Sequence, residues 1–144
     1  MENQPLIIGI ISSAREGSNS AVLVREALRG AAEKGMATGE IYLPGYDLQF
    51  CTGCLACMKT GTCCKEDGFN ELRNMLYQAD GIIWGSPTYG GSHNAIMKNF
   101  FDRLGLYEVT TSSLGGKYMA GIASGSAAGA AKKVAKGLSR FGIG

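Results

Sequence analysis

The sequence predicts an α/β fold in which a doubly wound parallel sheet carries helices on both faces. Three observations predict it. Residues 6–11 and 81–85 are continuous apolar runs with β-branched members, the pattern of strands buried on both sides. Segments of helical periodicity alternate with such strands along the chain. The turns after the strands are rich in Gly, Ser and Thr, and sheets of this kind bind ligands beyond the carboxyl ends of their strands.

The elements follow in order. Leu6-Ile7-Ile8-Gly9-Ile10-Ile11 is the first strand, and residues 12–20 form a polar loop. Residues 21–34 read as a helix with Val24, Leu28 and Ala31 on one face, stopped by Gly35. Glu40-Ile41-Tyr42-Leu43 is a short second strand ended by Pro44-Gly45. A cysteine-rich loop at 51–64 follows. Asp67 is placed to cap a helix reaching Gln78, with Phe69, Leu72, Met75 and Leu76 as its apolar stripe. Residues 81–85 form the third strand, residues 86–93 a loop, and residues 94–106 a helix whose apolar face is wide enough to reserve part of itself for a partner subunit. Residues 116–123 form a fourth strand and residues 127–141 an Ala-rich helix with Lys132, Lys133, Lys136 and Arg140 toward solvent.

At 144 residues the chain is expected to form one domain, residues 1–144. Its net charge of +2 gives no electrostatic case for nucleic acid or an anionic membrane as partner. Met1-Glu2-Asn3-Gln4-Pro5 lacks the basic region of a secretory signal, and no apolar run is long enough to span a bilayer. The expectation is a cytoplasmic chain, where clustered cysteines are reduced and serve metal binding or redox chemistry rather than structural disulfides.

The first loop has the makings of an anion cradle. Free N–H groups and the helix dipole attract negative charge at a helix start. Ser12, Ser18 and Ser20 add hydroxyls, Asn19 an amide, and Arg15 a guanidinium that grips two phosphate oxygens. Neither a dinucleotide fingerprint nor a triphosphate-binding P-loop is present, so a single terminal phosphate is the better match. The same residues also make an ordinary polar turn with Ser18 or Asn19 as helix cap. The second loop, Ser86-Pro87-Thr88-Tyr89-Gly90-Gly91-Ser92, offers backbone amides at Gly90-Gly91 and a stacking ring at Tyr89, or reads simply as a Gly-rich turn. Ala123-Ser124-Gly125-Ser126 is a third loop of that kind.

Taken together, the Ser-x-x-Arg-x-x-Ser-Asn-Ser loop, the Ser-Pro-Thr-Tyr-Gly loop and the helix segment Lys98-Asn99-Phe100-Phe101-Asp102-Arg103 resemble the NAD(P)H-dependent FMN reductase family of flavodoxin-like proteins. The resemblance covers nearly the whole chain. It implies FMN as cofactor, with Ser12, Arg15, Ser18, Asn19 and Ser20 at its phosphate. It implies Pro87, Thr88, Tyr89 and Gly90 at its ring or ribityl chain, and Ser124 and Gly125 at the far edge of the ring. It further implies NAD(P)H as a possible electron donor, a small-molecule redox substrate or an electron-carrier protein as partner, and a homodimer or homotetramer. No residue need serve as a catalytic nucleophile or base, because the flavin carries the chemistry. The family's pattern has a fifth strand and a last helix where this sequence ends at Phe141-Gly142-Ile143-Gly144, so the expectation is a sheet lacking that fifth strand.

Cys51, Cys54, Cys57 and Cys63 are spaced C-x2-C-x2-C-x5-C, and Cys64 follows directly. The first three have the local spacing of ferredoxin-type ligands, and Cys63 or Cys64 supplies a fourth. This spacing resembles the iron–sulfur flavoprotein branch of the family, which implies a [4Fe–4S] cluster held by Cys51, Cys54, Cys57 and Cys63. Tetrahedral zinc and unmetallated redox thiols are the alternatives. Three functions follow: an NAD(P)H-dependent reductase of flavin, quinone or similar acceptors; an electron-transfer flavoprotein fed through a cluster; and a non-redox assembly domain. His93 reads as a solvated loop residue, Asp102-Arg103 as a surface or interface pair, and Trp84 as core or partner-facing bulk.

Overall fold

A computed structural model describes residues 4–141; the readings of residues 1–3 and 142–144 lie outside the described residues. The elements are β1 (Leu6–Ile11), α1 (Asn19–Glu33), β2 (Ala37–Tyr42), α2 (Ala56–Thr60), α3 (Phe69–Gln78), β3 (Gly81–Tyr89), β4 (Ser92–His93), α4 (Ala95–Thr111), β5 (Tyr118–Ser124) and α5 (Ala130–Leu138). The parallel strands run in the order β2-β1-β3-β5, with Ile10 opposite both Ile41 and Trp84, and Trp84 opposite Gly121. This is the flavodoxin-like doubly wound order. Among the described residues β5 is the outer parallel strand and no further parallel strand lies beside it.

Side-chain alternation divides the core between the two faces. Ile11 and Ile83 meet Ala21, Val24 and Leu28 of α1. On the other face Ile8, Ile10, Ile82 and Trp84 meet α3, α4 and α5 through Phe69, Phe100, Leu104 and Leu138. Glycine sets the spacing on each side. A Cβ at Gly85 would stand 2.3 Å from Val24 Cγ2, and one at Gly121 would stand 2.0 Å from the Ala135 carbonyl oxygen of α5. Trp84 is core, packed edge-on against Phe101.

Several sequence expectations are corrected. The segment 86–93 is not a loop: β3 continues through Ser86-Pro87-Thr88-Tyr89, turns at Gly90-Gly91 and returns as β4, with Thr88 opposite His93. Pro87 is tolerated there because the pairing with β1 ends at Gly85, so no β1 carbonyl lacks a donor. β2 begins at Ala37, α4 reaches Thr111, α5 is shorter than expected, and the helix α2 was not foreseen inside the cysteine loop. Gly68, with φ of 82°, holds the N-cap position of α3 instead of Asp67. Met75 is exposed, while Arg73 is buried on the α3 stripe beside Phe69, Leu72 and Leu76. On α4, Met97, Phe100, Phe101, Leu104 and Tyr107 are buried within the chain, while Ile96 is partly buried.

Candidate functional site

The three loops meet at the carboxyl ends of β1, β3 and β5, and hydrogen bonds fix their relation. Ser12 donates its backbone N–H (3.0 Å) and its hydroxyl (3.1 Å) to the Gly85 carbonyl. Its own carbonyl accepts from Asn94 Nδ2 at 2.7 Å. Asn94 also caps α4, its Oδ1 accepting from the Met97 amide, and its backbone N–H donates to Ser86 Oγ. One buried asparagine thereby ties the first loop, the end of β3 and the start of α4 together. Sequence reading placed Asn94 only as a helix start; its spacing before an apolar run signals a cap, but nothing local signals the reach to Ser12.

Within the first loop Ser18 is the N-cap of α1, accepting from Ala21 N. Ser18 Oγ and Ser20 Oγ lie 3.4 Å apart and both are buried. Only one hydroxyl of such a pair donates to the other, which leaves one O–H for an outside acceptor. Arg15 and Asn19 are exposed at the lip, and Gly17, with φ of 63°, turns the chain between them. Among the described residues the Asn19 and Ser20 amides have no acceptor in the chain, as expected for the first turn of a helix. The Ser12 hydroxyl points elsewhere, committed to Gly85.

The second and third loops are in contact. Pro87 pairs with Ser124 across β3 and β5. A Cβ at Gly125 would stand 2.9 Å from Thr88 Cβ, so glycine lets the two loops close on each other. Thr88 Oγ1 is buried without a hydrogen-bond partner, a donor left for something outside the chain. Tyr89 is 63% exposed at the rim, and Gly90 has a left-handed φ of 57°. His93 is not a solvated residue. It packs edge-on against Phe101, its Nε2 is buried without a partner, and burial with the nearby Lys98 cation pushes its pKa below the usual value.

A second constellation lies against α4. Cys51, Cys54, Cys57, Cys63 and Cys64 line one pocket whose wall includes Arg103, Leu106 and Tyr107 of α4. Asp102-Arg103 is not a surface pair: Asp102 pairs with Lys98, whereas Arg103 is buried. Arg103 Nη1 pairs with Asp67 Oδ2 and donates to the Gln49 carbonyl, its guanidinium lies 4.2 Å from the centre of the Phe69 ring, and Nη2 donates to Cys63 Sγ at 3.1 Å. Burial alone would push the Asp67 carboxyl up; hydrogen bonds from Arg103 and the Gln49 amide outweigh it and hold Asp67 below the usual carboxylate range. Asn70 clamps the Cys63 backbone, accepting from its N–H at 3.0 Å and donating to its carbonyl at 2.9 Å. Arg73 donates to the Gly61 carbonyl at 2.8 Å and lies over the Tyr107 ring. Sequence reasoning missed Arg73, Arg103 and Asn70.

The thiols are unequal. Burial raises the pKa of Cys57. Cys54 is exposed, and hydrogen bonds from the Ala56 amide and Cys64 lower its pKa; its Sγ lies 3.7 Å from that of Cys64. Among the described residues no three His, Cys, Asp or Glu side chains converge on a single ion. No helix of the described residues is long and apolar enough to cross a membrane.

Comparison with known proteins agrees with this architecture. Residues 5–141 match the NADPH-dependent FMN reductase family. The chain is 42% identical over 97 residues to an iron–sulfur flavoprotein of Methanocaldococcus jannaschii, covering 67% of this chain and 50% of that one. It is 29% identical over 133 residues to an iron–sulfur flavoprotein of Archaeoglobus fulgidus, covering 92% and 60%. The chain thus spans half to three fifths of the length of these relatives. Among solved structures it resembles an NADH:FMN oxidoreductase in its apo form, with a TM-score of 0.64 at 23% identity over 88% of this chain and 62% of that one. It likewise resembles the NAD(P)H:acceptor oxidoreductase FerB of Paracoccus denitrificans, with a TM-score of 0.64 at 18% identity over 93% and 68%. At those identities the two structures speak for the fold alone. The chain belongs to the NADPH-dependent FMN reductase family, on the side of its iron–sulfur flavoproteins.

Proposed function

We propose that this chain is the FMN-binding unit of an oxidoreductase that takes electrons from NAD(P)H and delivers them to a small-molecule acceptor such as a flavin or quinone. The observation that carries the reading is the convergence of the three loops, with Thr88 against Gly125 and the first loop tied to β3 through Ser12 and Asn94. FMN, when bound, supplies hydride and electron transfer through its ring system. The chain holds and orients it. Arg15, the free hydroxyl of the Ser18–Ser20 pair, Asn19 and the first amides of α1 hold the phosphate. Thr88 Oγ1 and the amides at Gly90 and Gly91 hold the ring or ribityl chain, Pro87 and Ser124 shape the floor, and Gly125 lets Thr88 close against the third loop. Ser12 acts from behind by fixing the loop, because its hydroxyl is committed to Gly85.

A second reading is favoured by the cysteine pocket and by the iron–sulfur relatives: electrons arrive from a carrier protein through a [4Fe–4S] cluster. The donor set fits such a group. Five thiols line one pocket, and three of them have the spacing of cluster ligands. Arg103 donates into the ring, so anionic thiolates are compensated there. Cys51, Cys54, Cys57 and Cys63 would hold the cluster, which supplies one-electron transfer. The assembly fitting either reading is a homodimer or homotetramer, in the cytoplasm.

The test is an anaerobic absorbance titration of protein reconstituted with FMN, iron and sulfide. Bleaching of the flavin band by NADPH or NADH supports the reductase. Bleaching only by a reduced carrier, with iron and sulfide bound, supports the second reading. Absence of flavin binding rejects both.

A further inference from the structure

The buried Arg103–Asp67 pair has no role in the packing that a neutral pair would not fill more cheaply. Both side chains are almost wholly inaccessible, at 1% and 4% exposure, and burying two charges costs several kcal/mol per ion before their attraction offsets it. The pair has further partners: the Gln49 carbonyl accepts from Nη1, the Gln49 amide donates to Asp67, and the Phe69 ring lies against the guanidinium, while Nε is buried without a partner. The other terminal nitrogen, Nη2, faces the cysteine pocket and donates to Cys63 Sγ at 3.1 Å. Cys63 is itself immobilised, its backbone clamped in both directions by Asn70. Its neighbour Cys64 has neither support. It is exposed, and its Sγ lies beside that of Cys54.

We infer that Arg103, oriented by Asp67, is a positioning residue that selects Cys63 over Cys64 as the fourth thiolate of the iron–sulfur centre and raises that centre's reduction potential. The inference rests on the cluster reading above. The direction follows from charge. A reduced cluster carries one more negative charge than an oxidised one, and a fixed cationic N–H donor at a ligand sulfur favours the more negative state. Hydrogen bonds to ligand atoms act on metal sites in this way and also fix the ligand's orientation.

The test uses the full chain, reconstituted anaerobically with ferrous iron and sulfide and separately loaded with FMN. Cys63→Ser is expected to lose the iron and sulfide that wild type holds, while Cys64→Ser keeps them. Arg103→Gln is expected to move the cluster's midpoint to a more negative value, read by the reduced cluster's paramagnetic signal in a mediated titration, and Arg103→Lys to recover part of that shift. If Arg103→Gln fails to fold because Asp67 is stranded, the double variant Asp67→Asn/Arg103→Gln buries no lone charge; loss of the more distant carboxylate offsets part of the effect, so the midpoint is expected to move in the same direction by less. Loss of iron on Cys64→Ser with retention on Cys63→Ser overturns the inference, as does an unchanged midpoint in the Gln variants. A wild type that binds FMN but no iron overturns the cluster reading and this inference together, leaving the flavin reading intact.

Discussion

Replacing Asn94 with alanine breaks the joint that holds the candidate site together, and the cost divides into two parts. The first is the helix cap: Oδ1 accepts from Met97 N at 3.2 Å, and loss of an asparagine cap costs about 1 kcal/mol. The second is the 2.7 Å bond from Nδ2 to the buried Ser12 carbonyl, which would be left without that partner at a cost of about 1–3 kcal/mol. Asn94→Ala is therefore expected to destabilise by about 2–4 kcal/mol, with a middle value of about 3 kcal/mol lowering Tm by about 6–12 °C. Asn94→Ser separates the parts, because serine caps as well as asparagine yet is too short to reach Ser12. It is expected to lose only the second part, about 1–3 kcal/mol. Urea unfolding of both variants, with slopes equal to wild type, measures the two numbers. FMN titration of the folded variants should show weaker binding, since the first loop is no longer tied to β3. A serine variant as stable as wild type, or an alanine variant within about 0.5 kcal/mol of it, would refute the claim that this residue braces the site.

Other perturbations test other parts. Gly121→Ala drives a Cβ to 2.0 Å from the Ala135 carbonyl, a backbone atom that cannot swing aside, and is expected to destabilise by about 2 kcal/mol or more in the same unfolding assay. His93 titrates below its ordinary value of 6.5 because of burial and then Lys98, with Asp102 opposing. The unfolded state thus binds its proton first, so the stability this group contributes is present above pH of about 6.5 and is lost as pH falls toward the folded value. His93→Gln should flatten that part of the stability–pH curve, and an unchanged slope would count against the assignment. In metal-free protein treated with diamide as oxidant, peptide mapping should find Cys54 joined to Cys64 before any other pair, because their sulfurs already lie 3.7 Å apart.

The elements legible in the sequence are those whose signals are local. β1 occupies the predicted apolar run, Ser18 caps α1 and Gly35 follows its end with φ of 81°. The doubly wound parallel sheet followed from the alternation of elements, and the placing of the three loops at the carboxyl ends of its strands from that class of sheet. What escaped reading depends on partners far away in the chain. Arg103 looked like a surface residue because the residues that bury it, Asp67 and Cys63, lie 36 and 40 positions away. Arg73 took a place on the buried stripe because the Gly61 carbonyl and the Tyr107 ring receive its guanidinium, which no periodicity of α3 encodes. The Ser-Pro-Thr-Tyr segment looked like a loop because proline argues against a strand; it extends β3 only because β1 has already ended beside it.

The account stands most directly on a phosphate subsite in the first loop, adjoining the ring site of the other two. Titration of flavin-free protein with FMN and with riboflavin, in wild type and Arg15→Ala, measures it in one experiment. The account predicts one FMN per chain, riboflavin bound more weakly, and Arg15→Ala weakening FMN by roughly 10–150-fold, the worth of a charge-assisted hydrogen bond, while leaving riboflavin unchanged. Equal affinity for the two flavins, or an Arg15→Ala variant that weakens both alike, would contradict it.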